Sequence, residues 1–355
     1  MKGYSKKTQR GRGSPSWSRL FGSGLVVSNY DVQLMQKLSF IILLFGCQFL
    51  FAQTTPATQA VAHEVTAEKR QKGIDRAGEK NDTAEEDFAF GLIADCQYCA
   101  VEGTGVRKYS MSDQKLQQCV SHFNTLDLEY VVHLGDFIDR DYESFAVVGP
   151  VYQQLNMPAY HVLGNHDFSV ADKLKKKVPR TMGLKRRYYD FAVEGWRFLV
   201  LDGNDISYHA YPENSRQYRA ADAYYRENQI ESPKWNGAIG KKQLKWIEQT
   251  LQKACGAGEK VVFYCHFPVY PTNVHNLWNA PAVVALIESY DCVKAYINGH
   301  NHQGNYASKA GVHYLTLKGM VDTAESAYAV MKIWPDRLEL EGFGREENRV
   351  MVIRK

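Results

Sequence analysis

The sequence predicts an α/β fold with its chemistry at the strand ends, and two features of the chain carry that prediction. Short apolar runs of strand length alternate with amphipathic stretches of helical period. Five of the runs break directly into polar side chains that bind metals. Phe90-Gly91-Leu92-Ile93-Ala94 leads into Asp95-Cys96-Gln97, and the run Tyr130 to Leu134 leads into Gly135-Asp136-Phe137-Ile138-Asp139-Arg140. His161-Val162-Leu163-Gly164 leads into Asn165-His166-Asp167, Val261 to Cys265 into His266, and Val293 to Asn298 into Gly299-His300-Asn301-His302. Loops that follow parallel strands line the ligand crevice of such folds. Five strand ends that supply only Asp, Gln, Asn and His fit a metal centre better than any other use.

A chain of 355 residues with 45% apolar content can bury one large α/β core or two smaller ones. The formal charge of +4 comes from the leader. Residues 1–34 hold six Lys or Arg against one Asp, and Lys37 adds another positive charge, so the remainder is slightly acidic. That balance argues against general nucleic-acid binding, which needs a clustered basic field.

Four segments are expected. Residues 1–34 read as a basic leader or tail ahead of a true start at Met35. Residues 35–53 read as a signal peptide, with Lys37 before the apolar run Leu38–Phe51 and a cleavage neighbourhood at Ala52-Gln53-Thr54. An uncleaved anchor, or lipid attachment at Cys47, are the alternatives for this segment, and a secreted or periplasmic protein with no stable membrane span after signal removal is the expectation. Residues 54–86, polar and poor in aromatics, read as a flexible linker. Residues 87–355 form the domain, with order beginning near Phe88.

Within the domain, Ser112 is expected to cap a helix from Asp113 to about Leu126, and a second helix to cover Ser144–Leu155. Strands follow at 159–163, then at Tyr188–Ala192 and Arg197–Leu201 as a hairpin around Glu194-Gly195. Lys173–Arg187 reads as a solvated basic loop, and the Tyr- and Asn-rich stretch 203–238 as a long lid-like insert. Helices are expected at Lys241–Ala254 and near Ala282–Tyr290, and strands at Val312–Leu317, Tyr328–Trp334 and Leu338–Phe343. Six cysteines lie beyond Cys47. Disulfides are open to an exported protein, but buried free thiols are expected for most of the six, because Cys119 sits in a helical pattern and Cys265 ends a buried strand. Cys96 and Cys99 have redox-motif spacing without the following helix that acidifies a thiol.

Two divalent cations about 3.5–4 Å apart need a carboxylate shared between them and separate ligands for each. Asp136 is the expected bridge. Asp95, Gln97 and His302 complete one ion, and Asn165, His266 and His300 the other. The amide oxygen of Gln97 is a harder donor than imidazole and suits Mn²⁺ or Mg²⁺ over Zn²⁺ or Fe²⁺. A water acidified between two such ions attacks phosphorus. His166, beside a ligand but not one itself, is expected to bind a phosphoryl oxygen or protonate the leaving oxygen, with Asp167 or a neighbour fixing its tautomer.

At Asp95-x-Gln97, Gly135-Asp136, Gly164-Asn165-His166-Asp167, His266 and Gly299-His300-Asn301-His302 the chain resembles the calcineurin-like metallophosphoesterases over roughly residues 88–355. The resemblance implies a four-layer α/β/β/α sandwich of two mixed sheets with a dimetal site at the strand ends. Asp95-Cys96-Gln97-Tyr98, Asn236-Gly237-Ala238-Ile239-Gly240 ahead of Gln243-Leu244-Lys245-Trp246, Pro268-Val269-Tyr270-Pro271 and Leu277-Trp278-Asn279 are more closely similar to the manganese-dependent ADP-ribose/CDP-alcohol diphosphatases. Asp139-Arg140 resembles the phosphoprotein phosphatase branch instead, but that branch carries His where this chain has Gln97 and Gly where it has Asp141.

The resemblance implies a hydrolase with two divalent ions, Mn²⁺ foremost, that splits a small nucleoside diphosphate-linked substrate into a nucleoside monophosphate and a phosphorylated alcohol or sugar. Tyr98, Arg140, Trp278 and Asn279 are its candidate substrate contacts. A phosphomonoesterase or phosphodiesterase on the same site is the alternative enzyme. A non-catalytic binding protein would show lost ligands, and this chain has lost none. His122, His209 and His313 are expected to be ordinary core or loop histidines.

Overall fold

A computed structural model describes residues 86–353. The expected leader, signal segment and almost all of the linker lie outside the described residues. Twelve strands are described: β1 Phe88–Ile93, β2 Val131–His133, β3 Ala159–His161, β4 Tyr189–Val193, β5 Trp196–Val200, β6 Lys260–Tyr264, β7 Val293–Asn298, β8 Gln303–Lys309, β9 Val312–Lys318, β10 Ala327–Ile333, β11 Arg337–Gly344 and β12 Arg349–Val352. They form two six-stranded sheets, ordered β12-β11-β10-β1-β2-β3 and β4-β5-β6-β7-β9-β8. Both are mixed. β1, β2 and β3 run parallel while β10 meets β1 antiparallel. β5, β6, β7 and β9 run parallel, with β4 and β8 antiparallel at the two edges.

The layering follows from the side-chain period of two along each strand. Phe90 and Leu92 of β1 share a core with Phe198, Val200, Val262 and Tyr264 of the other sheet, whereas Ala89 and Ile93 point to the outer face. Helices α1 Ser112–Phe123 and α2 Phe145–Tyr152 cover that face through Leu116, Val120, Phe123, Phe145 and Val148. The second sheet is covered the same way by two later helices, Lys241–Gly256 and Ala280–Glu288, through Ile247, Leu251, Val283 and Ile287. The result is the expected α/β/β/α sandwich. The Tyr130 and Tyr264 hydroxyls bond to each other at 2.8 Å across the central core, so neither buried oxygen goes unmatched there.

Several local expectations change. Ser112 does not cap α1: Met111 stands at the cap with no side-chain bond, because a 3₁₀ turn at Tyr109–Met111 runs straight into the helix and buries Ser112. The helix ends at Phe123, short of Leu126. The basic stretch 173–187 is not a plain loop. It folds into α3 Asp172–Lys175 and α4 Val178–Thr181, and Arg187 turns inward to Asp202 at 2.7 Å, between the rings of Phe168 and Tyr211. The 203–238 insert contains a full helix, α5 Arg216–Glu227, capped by Ser215, whose hydroxyl accepts the Tyr218 N–H. Its buried face is carried by Ala and Tyr rather than by aliphatic residues, so no aliphatic stripe marks it. The later helices, α6 Lys241–Gly256 and α7 Ala280–Glu288, lie close to where they are expected. Strands β8 and β12 were not anticipated. Both are sheet edges: β8 buries none of its residues fully, and β12 turns Val350 and Val352 to solvent, so its exposed positions are apolar and no polar alternation marks it.

Cys96, Cys99, Cys119 and Cys265 are free and buried. Cys255 and Cys292 form a disulfide that ties the end of α6 to the start of β7. Among the described residues no helix is long and apolar enough to cross a membrane.

Candidate metal centre and its rim

The loops after β1, β2, β6 and β7, with the loop beyond β3, bring the sequence-selected side chains together. Asp136, His266 and His300 are all buried, with one ligand-type atom each lying within 4.8 Å of the others. His266 Nε2 is 3.2 Å from an Asp136 carboxylate oxygen, 3.2 Å from Asn165 Oδ1 and 3.1 Å from His300 Nδ1. The same Asp136 oxygen, Oδ2, lies 3.0 Å from Gln97 Nε2, and Asp95 Oδ1 is 3.4 Å from His302 Nε2. Asp95 also accepts the His300 backbone N–H at 3.0 Å.

Local backbone geometry explains how buried strands turn so many polar groups inward. Asp95, Gln97, Asp136 and His300 all take positive φ, at 52°, 43°, 55° and 68°. L residues rarely adopt such angles, and where they persist the surroundings hold them. One of the holding groups is Asp167. Its carboxylate accepts the backbone N–H of Phe137 and Gly164 at 2.8 Å and those of Asp136 and Ile138 at 3.2 and 3.3 Å. Asp136 Oδ1 in turn takes the His166 N–H at 2.8 Å. Gly164 must be glycine, because a Cβ there would sit 2.1 Å from Asp136 Oδ1 and 2.2 Å from its backbone nitrogen.

The three histidines carry the electronic argument. Each has one ring nitrogen held by an acceptor: His266 Nδ1 by the Leu134 carbonyl at 2.9 Å, His300 Nε2 by Asn236 Oδ1 at 2.9 Å, and His302 Nδ1 by Asp322 at 3.0 Å. A neutral imidazole so bound donates from that nitrogen and presents the other as a bare lone pair. Those bare nitrogens face the cluster, where they meet carboxylate and amide oxygens. Imidazole nitrogens, carboxylates and an amide oxygen converging this closely draw positive charge, from a proton or from a cation, and this donor set fits divalent ions.

The charges respond accordingly. Burial opposes the His266 imidazolium, but Asp136 and Asp95 raise its pKa to about 9. Burial likewise opposes the Asp136 carboxylate, yet His266 and His166 hold its pKa well below the usual range. His300 is pushed well below the ordinary value by burial and by His266, which keeps it neutral.

A calcineurin-like phosphoesterase family model matches residues 88–304. This chain belongs to that family. It is 30% identical over 326 residues to the "Manganese-dependent ADP-ribose/CDP-alcohol diphosphatase" of Homo sapiens, covering 78% of this chain and 95% of that protein. It is 31% identical over 291 residues to the protein of the same name from Oryza sativa subsp. japonica, covering 72% and 91%. A dimetal phosphatase crystal structure from Danio rerio superposes with a TM-score of 0.69 at 25% identity, covering 76% of this chain and all of that one.

Around this calcineurin-like centre, other selected residues take different places. His166 Nδ1 is 3.0 Å from the Asp139 carbonyl and 3.2 Å from its carboxylate, so the neighbour that orients it is Asp139 and not Asp167. Burial works against the His166 charge, but Asp136 and Asp139 raise its pKa to about 9. Arg140 is half exposed, binds Asp139 at 2.6 Å and lies over the Tyr109 ring.

Tyr98 is a core residue bridged to Ile138 and packed under the sheet. Asn279 commits its amide to the Ile239 backbone at both ends, at 3.1 and 2.8 Å. Trp278 binds the Pro233 carbonyl through its indole N–H at 3.0 Å and stands on the rim. His209, expected to be an ordinary loop residue, is mostly buried and close enough to His166 to feel its charge; burial and that charge lower its pKa to about 4. His122 packs among Phe123, Tyr328 and Phe343, and His313 is buried between Tyr306 and the Val352 carbonyl.

Gln97 is oriented differently from the sequence expectation. Its Oε1 accepts Arg107 at 2.5 Å and its amide nitrogen faces Asp136. To offer oxygen to an ion the amide must turn over and Arg107 must let go. Asn236 and Asp322, which hold His300 and His302, were missed as partners. Asn236 lay inside a quoted motif, whereas Asp322 follows no strand-end pattern and only the fold brings it to His302. Cys96 and Cys99 are free and buried, and burial pushes the Cys96 thiol up to about 12, the opposite of the acidic thiol a redox motif uses.

Proposed function

We propose that this protein is a metal-dependent diphosphatase that hydrolyses the diphosphate linkage of ADP-ribose- or CDP-alcohol-like substrates. A nucleoside monophosphate and a phosphorylated alcohol or sugar are the products. The observation that carries the reading is the convergence of three tautomer-fixed imidazoles on Asp136, Asn165 and Asp95 in a chain similar to diphosphatases over three quarters of its length. Asp95, Gln97, Asp136 and His302 would hold one ion, and Asp136, Asn165, His266 and His300 the other. Manganese is the ion named for the relatives. Two divalent ions so held supply Lewis-acid charge at a phosphoryl oxygen and lower the pKa of a water.

The chain's own groups do the rest. His166 is aimed by Asp139, and it donates a hydrogen bond or a proton to the phosphoryl or leaving oxygen. Asp167 fixes the turn that carries Asp136.

We also infer export. Support comes from Lys37 followed by the apolar run Leu38–Phe51, and from the Cys255–Cys292 disulfide, a bond of oxidising compartments.

The test is hydrolysis of ADP-ribose and CDP-glycerol in ¹⁸O-water by protein stripped with chelator and reloaded with Mn²⁺, Mg²⁺ or Zn²⁺. The expected products are AMP with ribose 5-phosphate and CMP with glycerol phosphate, with label on one phosphoryl group of each pair. Mn²⁺ should restore most activity. Rapid cleavage of p-nitrophenyl phosphate with both diphosphates untouched would overturn the diphosphatase reading in favour of a phosphomonoesterase.

A further inference from the structure

The rim carries an aromatic box that the proposed reaction does not use. Tyr208, Tyr225 and Trp278 stand nearly perpendicular to one another. Their ring centroids are 5.9 Å apart between the two tyrosines, 5.8 Å from Tyr208 to Trp278 and 5.2 Å from Tyr225 to Trp278. Every polar end is fastened elsewhere: Tyr208 hydroxyl to Asp222 at 3.0 Å, Tyr225 hydroxyl to the Ser232 carbonyl at 2.7 Å, and the Trp278 indole N–H to the Pro233 carbonyl at 3.0 Å. What remains for a guest is a set of π faces. Lys234 lies over two of them, with Nζ 4.8 Å from the Tyr208 centroid and 5.5 Å from that of Tyr225, and with no carboxylate at ion-pair distance among the described residues. Asp222, the nearest acid in the group, is already engaged by Tyr208 and Arg226.

The box is joined directly to the metal cluster. Lys234 is followed by Trp235, whose ring lies 5.1 Å from that of His300, and by Asn236, which holds His300 Nε2 at 2.9 Å. The Trp278 backbone N–H bonds the Gly237 carbonyl at 2.8 Å. The stretch 234–237 thus ties the box to His300 of the cluster.

We propose that the ring faces of Tyr208 and Tyr225, buttressed by Trp278, form a subsite for a quaternary-ammonium alcohol, with Lys234 as a resident cation that such a substrate displaces. The proposal rests on the reading that this site cleaves CDP-alcohol-like substrates. A primary ammonium carries three N–H donors and a tight water shell, and the box satisfies none of those donors, so Lys234 is weakly held. A trimethylammonium group has no donors to satisfy and sheds water readily, and aromatic faces are the surface that recognises it. Exchange of one cation for the other keeps the box filled and favours the substrate.

The experiment uses full-length, Mn²⁺-loaded protein and two readouts. The first is choline chloride binding, followed by tryptophan fluorescence. The second is the ratio of kcat/KM for CDP-choline to that for CDP-glycerol. The wild type should bind choline and prefer CDP-choline by about tenfold. Lys234→Ala should tighten choline binding and increase that preference. Tyr225→Leu should abolish both, while Tyr225→Phe, which keeps the ring and loses only the hydroxyl, should retain them and so exclude misfolding of α5 as the cause.

If Lys234→Ala instead lowers kcat/KM equally for both substrates, Lys234 is an anion contact and the subsite is wrong. Turnover of both substrates with no choline binding and no preference would also overturn it. Ring-dependent choline binding in a protein that cleaves neither diphosphate would keep the subsite and remove the diphosphatase reading.

Discussion

The strand-end frame and the aromatic rim are built on opposite rules. In the frame, polar atoms are buried and almost every one has a fixed partner. Asp136 is held by the His166 N–H and Gln97, Asp167 by four backbone N–H groups, and each ligand-type histidine by an acceptor on its far nitrogen. On the rim, Tyr208, Tyr225 and Trp278 are partly exposed, and they meet through their rings and a single lysine. A buried group with fixed partners cannot adjust without leaving one of them unsatisfied. A ring face tolerates different guests. The frame therefore decides whether the chemistry happens, and the rim decides what is chosen.

The largest effect should come from breaking the frame at its centre. Asp136→Asn removes the negative charge on which the two ligand groups converge, while the amide keeps the shape and one acceptor oxygen. Turnover should fall below detection, elemental analysis should show both metal equivalents reduced, and the circular dichroism spectrum should match wild type. Two bound equivalents with normal activity would contradict the central role of Asp136. His166→Ala separates chemistry from metal binding: kcat should drop by about 10²–10⁴-fold, the size of an acid–base contribution, with metal content unchanged. Metal loss in proportion to activity would move His166 into the coordination sphere.

The frame was legible in the sequence because each of its candidate metal ligands follows a strand end by two to four residues, so local order reports spatial order. The layering was legible for a related reason: burial on both faces leaves continuous apolar runs such as Phe88–Ile93. The rim was not legible. Helix α5 buries only Ala221 completely, so its period is written in tyrosines that look like loop composition. Tyr98 and Asn279 sit in motifs that suggested contact with substrate, but only the fold shows that both are spent on packing and backbone bonds. The disulfide joins residues 37 apart, and no pattern in the chain singles out that pair from the other cysteines.

Arg187 joins the two regions and tests their dependence. It lies between Phe168, next to the frame, and Tyr211, on the insert, and it pairs with Asp202, which is 1% exposed. Arg187→Met keeps the stem and removes the charge, leaving Asp202 buried without its partner. Unfolding free energy should fall by about 3–5 kcal/mol. Pairing that change with Asp202→Leu removes the orphaned carboxylate and should recover a good part of the loss. Denaturant midpoints for the two single variants and the double variant give the coupling directly. Additive losses would show that the ion pair does not connect insert and frame.

The smallest effect concerns a place where the frame breaks its own rule. His133, on β2, is fully buried, and neither ring nitrogen has a hydrogen-bond partner. Its ring packs edge-on against Phe137 at 4.9 Å and stands 5.9 Å from His161. Burial holds the His133 pKa well below the ordinary value, with His161 and His266 adding to the effect, and burial alone lowers His161 to about 3. Both rings are therefore neutral in the folded chain, whereas the unfolded chain protonates them near pH 6.5.

The sign follows from linkage: below that pH the unfolded state binds more protons, so stability is complete above about 6.5 and is lost as the pH falls toward 3. Each such histidine steepens the acid limb by up to about 1.4 kcal/mol per pH unit. His133→Leu keeps an apolar group of similar size, removes the unpaired nitrogens and should stabilise the protein by about 1–2 kcal/mol at pH 7. It should also flatten the fall in stability between pH 6.5 and 5 by one proton's worth. Urea midpoints at pH 8, 6.5 and 5, at constant metal, decide it. A variant that is less stable than wild type with an unchanged acid slope would mean that His133 has a partner in solution and that the frame has no exception.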